Sequence, residues 1–175
     1  IVPYTRGKQR SRRIEDIVRE VEELVEKGYK EVTLLGQNVN AYGYDLEEGN
    51  SSDVLLAKVA ETGIPRVRFV TSHPAYFKEE VFKVMAKYDN IMPSLHLPVQ
   101  SGSDDILKKM NRHYDSKTYL ELVDMLRKYV PDVYLTTDII VGFPDETRED
   151  FEKTLELCKK VKFDSAFTFI FSPRD

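Results

Sequence analysis

The sequence contains no tryptophan, one cysteine and three histidines in 175 residues. The lone thiol, Cys158, excludes an internal disulfide, accords with a reducing compartment and cannot alone hold a metal cluster. His73, His96 and His113 lack the i, i+4 pairing of helical metal ligands, so no zinc site is legible. The apolar runs are too short to span a bilayer, and no basic, apolar, small-residue signal peptide opens the chain. A GxGxxG behind a strand, a GxxxxGK(S/T) loop and a GxSxG elbow are all missing. That removes the dinucleotide, P-loop and serine-hydrolase readings. The chain begins at Ile1 rather than methionine, as expected of a fragment or a processed product.

What is present suits one globular domain: 41% hydrophobic and 32% charged residues over a length that can bury a sizeable core. Arg6, Lys8, Arg10, Arg12 and Arg13 crowd the first 13 residues without an acid, on a chain of net charge −4. A basic arm on an acidic body marks a polyanion contact in one reading and a solvated, flexible leader in the other. Ile14, Ile17, Val18, Val21, Leu24 and Val25 sit at helical spacing, with Gly28 placed to end that helix. The strand-like runs EVTLLGQN, VRFVTS, residues 94 to 99, VYLTTDIIVGF and SAFTFIFS then alternate with helical stripes. Thr147 and Asp150 form a capping-box pattern ahead of the last helix. Five strands alternating with helices predict an α/β fold with a parallel sheet, either open or a partial barrel.

Residues 95 to 112, LHLPVQSGSDDILKKMNR, concentrate the functional signal. An apolar strand runs into Gln100-Ser101-Gly102-Ser103 and a helix begins at once. Ser103 is expected to accept a bond from an early helical N–H, while Asp104 and Asp105 suit the helix's positive end. Parallel α/β proteins place ligand-binding groups at such strand-to-helix switches. The other strand ends read Gly36-Gln37-Asn38, Thr71-Ser72-His73, Val141-Gly142-Phe143-Pro144 and Phe171-Ser172-Pro173. Amides and hydroxyls there suit a ribose or an amino-acid moiety, and glycine lets backbone approach closely.

Several residues carry two readings. Asp138 lies within an otherwise apolar strand, where a carboxylate needs a partner or a function. His96 reads as a satisfied core group and, alternatively, as a catalyst. Cys158 on an apolar helical face reads as packing. Tyr4, Tyr42 and Tyr44 could stack on bases or simply populate loops.

Six ordered segments, IVPYTRG, LLGQNVNAYG, SHP, LHLPVQSGSDDILKKMNR, LTTDIIVGFPDET and DSAFTFIFSPR, resemble the radical SAM methylthiotransferases over nearly the whole chain. The resemblance is nearest to the branch that modifies N6-isopentenyladenosine beside the anticodon of tRNA. It implies a partial TIM-like (β/α)6 radical SAM barrel in which residues 1–175 form the core. The first strand, the C-x3-C-x2-C cluster loop, the N-terminal methylthiotransferase domain and the C-terminal TRAM domain would lie outside these residues. The implied cofactors are S-adenosylmethionine and two 4Fe-4S clusters, with no cluster ligand or catalytic residue within this chain.

The family pattern assigns Gly36 and Gln37 to the methionine amino group, and Gln100 and Ser101 to the ribose or methionine moiety. Arg112 would meet the carboxylate of S-adenosylmethionine. Val141, Gly142, Phe143 and Phe171 would contact the adenine, and Asp138 is a further candidate for the cofactor site. The basic arm, Arg6 to Arg13, would face RNA. The implied partners are tRNA and an electron donor such as flavodoxin or ferredoxin. The implied protein is a cytoplasmic monomer without membrane contact. Alternatives are a ribosomal-protein aspartate or threonylcarbamoyl-adenosine methylthiotransferase, and a non-catalytic α/β module that binds an adenine-containing ligand.

Overall fold

The computed structural model describes residues 7–36, 38–47, 49–70 and 73–173. The apolar stripe beginning at Ile14 forms helix α1 (Ile14–Glu26), with Ile14 and Val21 buried and Ile17, Val18 and Val25 packed against the core. The chain leaves that helix through Gly28 at φ +83°, a left-handed turn that glycine enters without a Cβ penalty. Then come β1 (Glu31–Leu34), α2 (Ser52–Ala60), β2 (Arg66–Phe69), α3 (Glu79–Lys87) and β3 (Ser94–His96). Helices α4 (Asp104–Lys109) and α5 (Ser116–Tyr129) lead to β4 (Tyr134–Val141), α6 (Arg148–Val161) and β5 (Ser165–Ile170). The expected alternation of strands and helices is present in order.

All strand pairs are parallel: β1 with β2, β3 with β4, and β4 with β5. The two groups are stitched by backbone bonds from Val67 N–H to Asn90 O (2.7 Å) and from Met92 N–H to Val67 O (2.9 Å). The result is an open arc in chain order, without closure among the described residues. Strand alternation assigns its two faces. Val67, Phe69, Leu95, Leu135 and Ile139 bury one face against Val59, Phe82, Tyr119, Val123 and Val161 of the helices. On the other face, Arg68, His96, Thr136 and Phe167 border a hollow of about 330 Å³. Phe167, Phe169 and Ile170 of β5 remain exposed at one edge of the arc.

Strand β3 is shorter than the apolar pattern predicts, and Pro98 is the reason. Leu97 N–H still donates to Thr136 O at 2.8 Å, but Pro98 has no N–H to continue the ladder. The register moves by one residue across this point: His96 lies opposite Thr136, yet Gln100 bridges Ile139. This is a β-bulge, a local insertion that bends the strand and re-aims the residues beyond it. Side-chain hydroxyls replace the missing ladder. Thr137 Oγ1 accepts from Val99 N–H (2.9 Å) and donates to Leu97 O (3.0 Å), while Tyr119 OH donates to Leu97 O (2.7 Å).

The turn after the bulge packs onto α6. Gly102 takes no left-handed φ, but it has no room for a side chain: a Cβ would stand 2.6 Å from both Lys153 O and Thr154 Cα. The close approach expected of this glycine is therefore to a helix backbone. Ser103 departs from the capping expectation, since its hydroxyl makes no cap bond and instead donates to Asp150 Oδ1 at 2.6 Å. Asp150 Oδ2 meanwhile accepts from Thr147 N–H and Thr147 Oγ1, and Thr147 Oγ1 accepts from Asp150 N–H, completing the expected capping box. The hydroxyl of Ser103, together with those donors, holds the Asp150 carboxyl down at about 2.

This seam makes two outcomes measurable. Gly102→Ala lowers the denaturant midpoint by the equivalent of about 1–3 kcal/mol, the cost typical of overpacking, with an unchanged m-value. The folded pKa of Asp150 lies below its ordinary 3.8, so its stabilisation is complete above 3.8 and is lost as pH falls toward about 2. Wild type therefore exceeds Asp150→Asn in stability at neutral pH, and the gap closes through that acidic window. A gap that stays constant with pH contradicts the assignment.

Candidate functional site

Parallel pairing brings the C-terminal ends of all five strands to one rim. The rim is tied together from β1 to β5. After β1, the buried Asn40 side chain brackets the backbone of His73: Nδ2–H donates to His73 O (2.9 Å) and Oδ1 accepts from His73 N–H (3.0 Å). His73 Nδ1 accepts from Ala75 N–H at 3.2 Å, which leaves the ring proton on Nε2. Burial lowers the His73 pKa, and the positive fields of Arg112 and His113 lower it further, so the ring is a neutral donor. Its ring meets Tyr76 and Tyr114 edge-on, at centroid distances of 5.3 and 5.6 Å. Tyr114 then donates to Pro98 O (3.2 Å) and Val99 O (3.0 Å) at the bulge. Burial raises its phenol to about 12, so it remains a hydroxyl donor.

Gln100 carries the rim across to β4. Its N–H donates to Asp138 O (2.8 Å), and its carbonyl accepts from Ile140 N–H (2.9 Å). Its φ of +70° is uncommon for a residue with a side chain, a departure that clusters at binding sites. Beyond β4, Gly142 takes φ +71° and its N–H donates to Glu146 Oε2. Phe171 N–H donates to Val141 O (2.8 Å), and the Phe143 and Phe171 rings meet at 4.9 Å and 68°. Asn38 Oδ1 and Glu146 Oε1 are buried acceptors without a donor among the described residues. Such groups are costly unless a ligand or water satisfies them.

The lumen holds a separate polar group. His96 Nδ1 lies 2.9 Å from Thr136 Oγ1 and His96 Nε2 lies 3.4 Å from Asp138 Oδ2, with the Phe167 ring 6.4 Å from the imidazole. Asp138 is thus paired and a quarter exposed rather than a sealed carboxylate.

The structure gathers most of the expected cofactor residues but alters the part of some. Gln100, Val141, Gly142, Phe143 and Phe171 converge on the β3–β4–β5 end, with Asp138 just below. Gly36 follows β1, while Gln37 lies outside the described residues, as do Thr71 and Ser72. Arg112 stands near His73 and Tyr114, with no carboxylate within ion-pair distance among the described residues. Ser101 corrects the expectation of a ligand-facing hydroxyl. It is fully buried, lies 3.3 Å from Thr154 Oγ1 and accepts from Ser103 N–H, because the turn must seat Gly102 against α6.

The basic arm is not a free leader over its described residues, since Gln9 and Ser11 bond to Ala41, Gly43 and Asp45. Arg6 and Tyr4 lie outside the described residues. Tyr42 is engaged, donating to Arg12 O at 2.5 Å, whereas Tyr44 is exposed. Residue chemistry marks Asn38 and His73 at strand ends but does not single out Asn40, Tyr114 or Glu146. Each sits a few residues beyond a strand or helix end, and that placement is the available signal. Among the described residues no group of three His, Cys, Asp or Glu could hold a metal, and no helix is long and apolar enough to cross a membrane.

Comparison with known proteins matches this architecture. Over its whole length the chain is 58% identical to the tRNA-2-methylthio-N(6)-dimethylallyladenosine synthase of Clostridium perfringens (strain SM101 / Type A), covering 39% of that protein. The enzyme of the same name from Bacillus subtilis (strain 168) is 56% identical over all of this chain and 35% of its own. The chain thus spans well under half the length of these relatives. Among solved structures, the methyltransferase TsrM from Kitasatospora setae matches with a TM-score of 0.70 at 16% identity, over 94% of this chain and 31% of that one. Coproporphyrinogen III oxidase from Escherichia coli gives 0.62 at 16% identity, over 91% and 37%. These two matches bear on fold alone. The Radical SAM superfamily model matches residues 1–158, and the chain belongs to that superfamily.

Proposed function

We propose that this chain is the cofactor-holding core of a tRNA methylthiotransferase that modifies C2 of N6-isopentenyladenosine beside the anticodon. The 58% identity to a tRNA-2-methylthio-N(6)-dimethylallyladenosine synthase, sustained over the whole chain, carries the reading. The rim chemistry supports it. S-adenosylmethionine presents a carboxylate, an ammonium, ribose hydroxyls and an aromatic base. Arg112, a cation without an acidic partner among the described residues, suits the carboxylate. The orphaned acceptors Asn38 Oδ1 and Glu146 Oε1 suit N–H or O–H donors, and the Phe143–Phe171 pair suits the base. Gly36, Gln100 and the Val141–Gly142 backbone complete the proposed cradle, to which the family pattern adds Gln37. Asp138 braces its floor through His96, and Ser101 holds the turn from behind.

Bound beside a reduced 4Fe-4S cluster, S-adenosylmethionine supplies the radical chemistry that activates an unreactive C–H bond. The cluster ligands of the proposed enzyme, and those of a second cluster, come from outside residues 1–175. This chain's own groups bind, orient and exclude water. The neutral His73 offers an N–H donor beside Arg112 without competing with it as a second cation. In this reading the protein works in the cytoplasm as a monomer, fed by flavodoxin or ferredoxin, with Lys8, Arg10, Arg12 and Arg13 of the basic arm turned toward RNA.

The intact protein, reconstituted anaerobically with iron and sulfide, is expected to release 5′-deoxyadenosine from S-adenosylmethionine when given reductant. It is expected to place a methylthio group on isopentenylated tRNA and not on ribosomal protein, read by mass. Arg112→Ala raises the KM for S-adenosylmethionine roughly 10-fold or more, the scale of a lost charge-assisted bond. A fully loaded protein that forms no 5′-deoxyadenosine rules out the proposed activity.

A further inference from the structure

The described part of the basic arm is fastened to the loop that follows β1, and the fastening centres on Asp45. Ser11 N–H donates to Asp45 Oδ2 (2.7 Å) and Ser11 Oγ–H to Asp45 Oδ1 (2.5 Å), while Gln9 Nε2 donates to Ala41 O (2.8 Å). Gly43 N–H donates to Ser11 Oγ (3.2 Å), and the loop folds tightly enough there that a Cβ would stand 2.1 Å from Asn50 O. The Ser11 bonds hold the Asp45 carboxyl below its ordinary range, so it stays ionised. Arg12 is engaged with Glu20 at 2.7 Å. Lys8, Arg10 and Arg13 are exposed, with no ion pair to any described residue.

Next to the Asp45 latch, Tyr44 is 55% exposed. Lys78 Nζ stands 5.6 Å from its centroid, and Tyr76 meets it edge-on at 6.0 Å. Tyr76 in turn touches His73 of the rim. An exposed ring, a cation above it and a pinned row of free cations are the parts of a stacking platform for single-stranded nucleic acid. Through Tyr76 and His73 it is continuous with the rim.

We propose that the loop Tyr42–Leu46 and the arm pinned to it form a docking platform for an RNA loop. Tyr44 stacks on an unpaired base, and Arg10, Arg13 and Lys78 neutralise the flanking phosphates. The proposal rests on the tRNA reading above and adds the surface and the residues that would seat the strand.

The test is fluorescence anisotropy of a labelled anticodon stem-loop RNA with the intact protein, as a function of salt. Tyr44→Ala weakens binding roughly 5- to 100-fold with an unchanged salt slope, and Tyr44→Phe, which keeps the ring, retains affinity. The Arg10→Ala/Arg13→Ala double variant flattens the slope by about 0.7 per charge removed. Formation of 5′-deoxyadenosine without RNA is unchanged in all three. Wild-type affinity in Tyr44→Ala overturns the platform while leaving the enzyme assignment standing. Weakened binding of a ribosomal-protein peptide in place of RNA overturns it as well.

Discussion

Thr137 Oγ1 accepts the Val99 N–H and donates to Leu97 O, and the rim of this fold hangs on that buried hydroxyl. Pro98 cannot contribute an N–H to the β3–β4 ladder. Without the hydroxyl, Val99 N–H would be buried and unpaired, at a cost of about 1–3 kcal/mol. With it, the strand absorbs one extra residue and re-enters the ladder at Gln100, opposite Ile139. That re-entry sets the left-handed backbone of Gln100, its bonds to Asp138 and Ile140, and the turn that seats Gly102 on α6. Tyr114 and Tyr119 reinforce the same stretch from the helix side, each donating to a carbonyl between Leu97 and Val99.

A rim built this way is stiff where a ligand would need it stiff. Asn40 fixes His73, His73 packs on Tyr114, and Tyr114 reaches the bulge, so three loops from three strands share one network. The charges along it are sorted. Arg112 stands free of carboxylates among the described residues, His73 is kept neutral beside it, and the His96–Asp138 pair sits apart in the lumen. Within the described residues the rim presents hydrogen-bonding groups and aromatic rings rather than a general acid–base pair. That suits a protein whose reactive chemistry belongs to a cofactor.

The order and direction of the elements are legible in the residues, because β-branched runs and helical stripes alternate with clear stops such as Gly28. The Thr147–Asp150 capping box is legible too, being a local pattern with a local cause. Long-range relations are not. Ser103 has the chemistry of a cap, but its hydroxyl is turned instead to the Asp150 carboxylate, 47 residues away in sequence, to which it donates. The arm reads as free because charge pattern carries no sign of Asp45, 34 residues beyond Ser11, which receives two of its bonds. Gly102 signals a close approach, yet nothing local tells whether a ligand or a helix fills the space. Asn40 and His73 carry the rim through mutual bonds invisible to spacing, and Pro98 sits inside a strand-like run although it breaks the ladder.

The Thr137 hydroxyl, through the bulge, sets the rim proposed to hold the cofactor. Binding of S-adenosylmethionine to the intact, cluster-loaded protein, measured for Thr137→Val and Thr137→Ser, tests it directly. Valine keeps the shape and loses both bonds, so affinity falls roughly 10-fold, in line with one unpaired buried N–H. Serine restores the hydroxyl and returns affinity toward wild type. Equal affinity in a folded Thr137→Val protein, or no recovery with serine, would contradict the account.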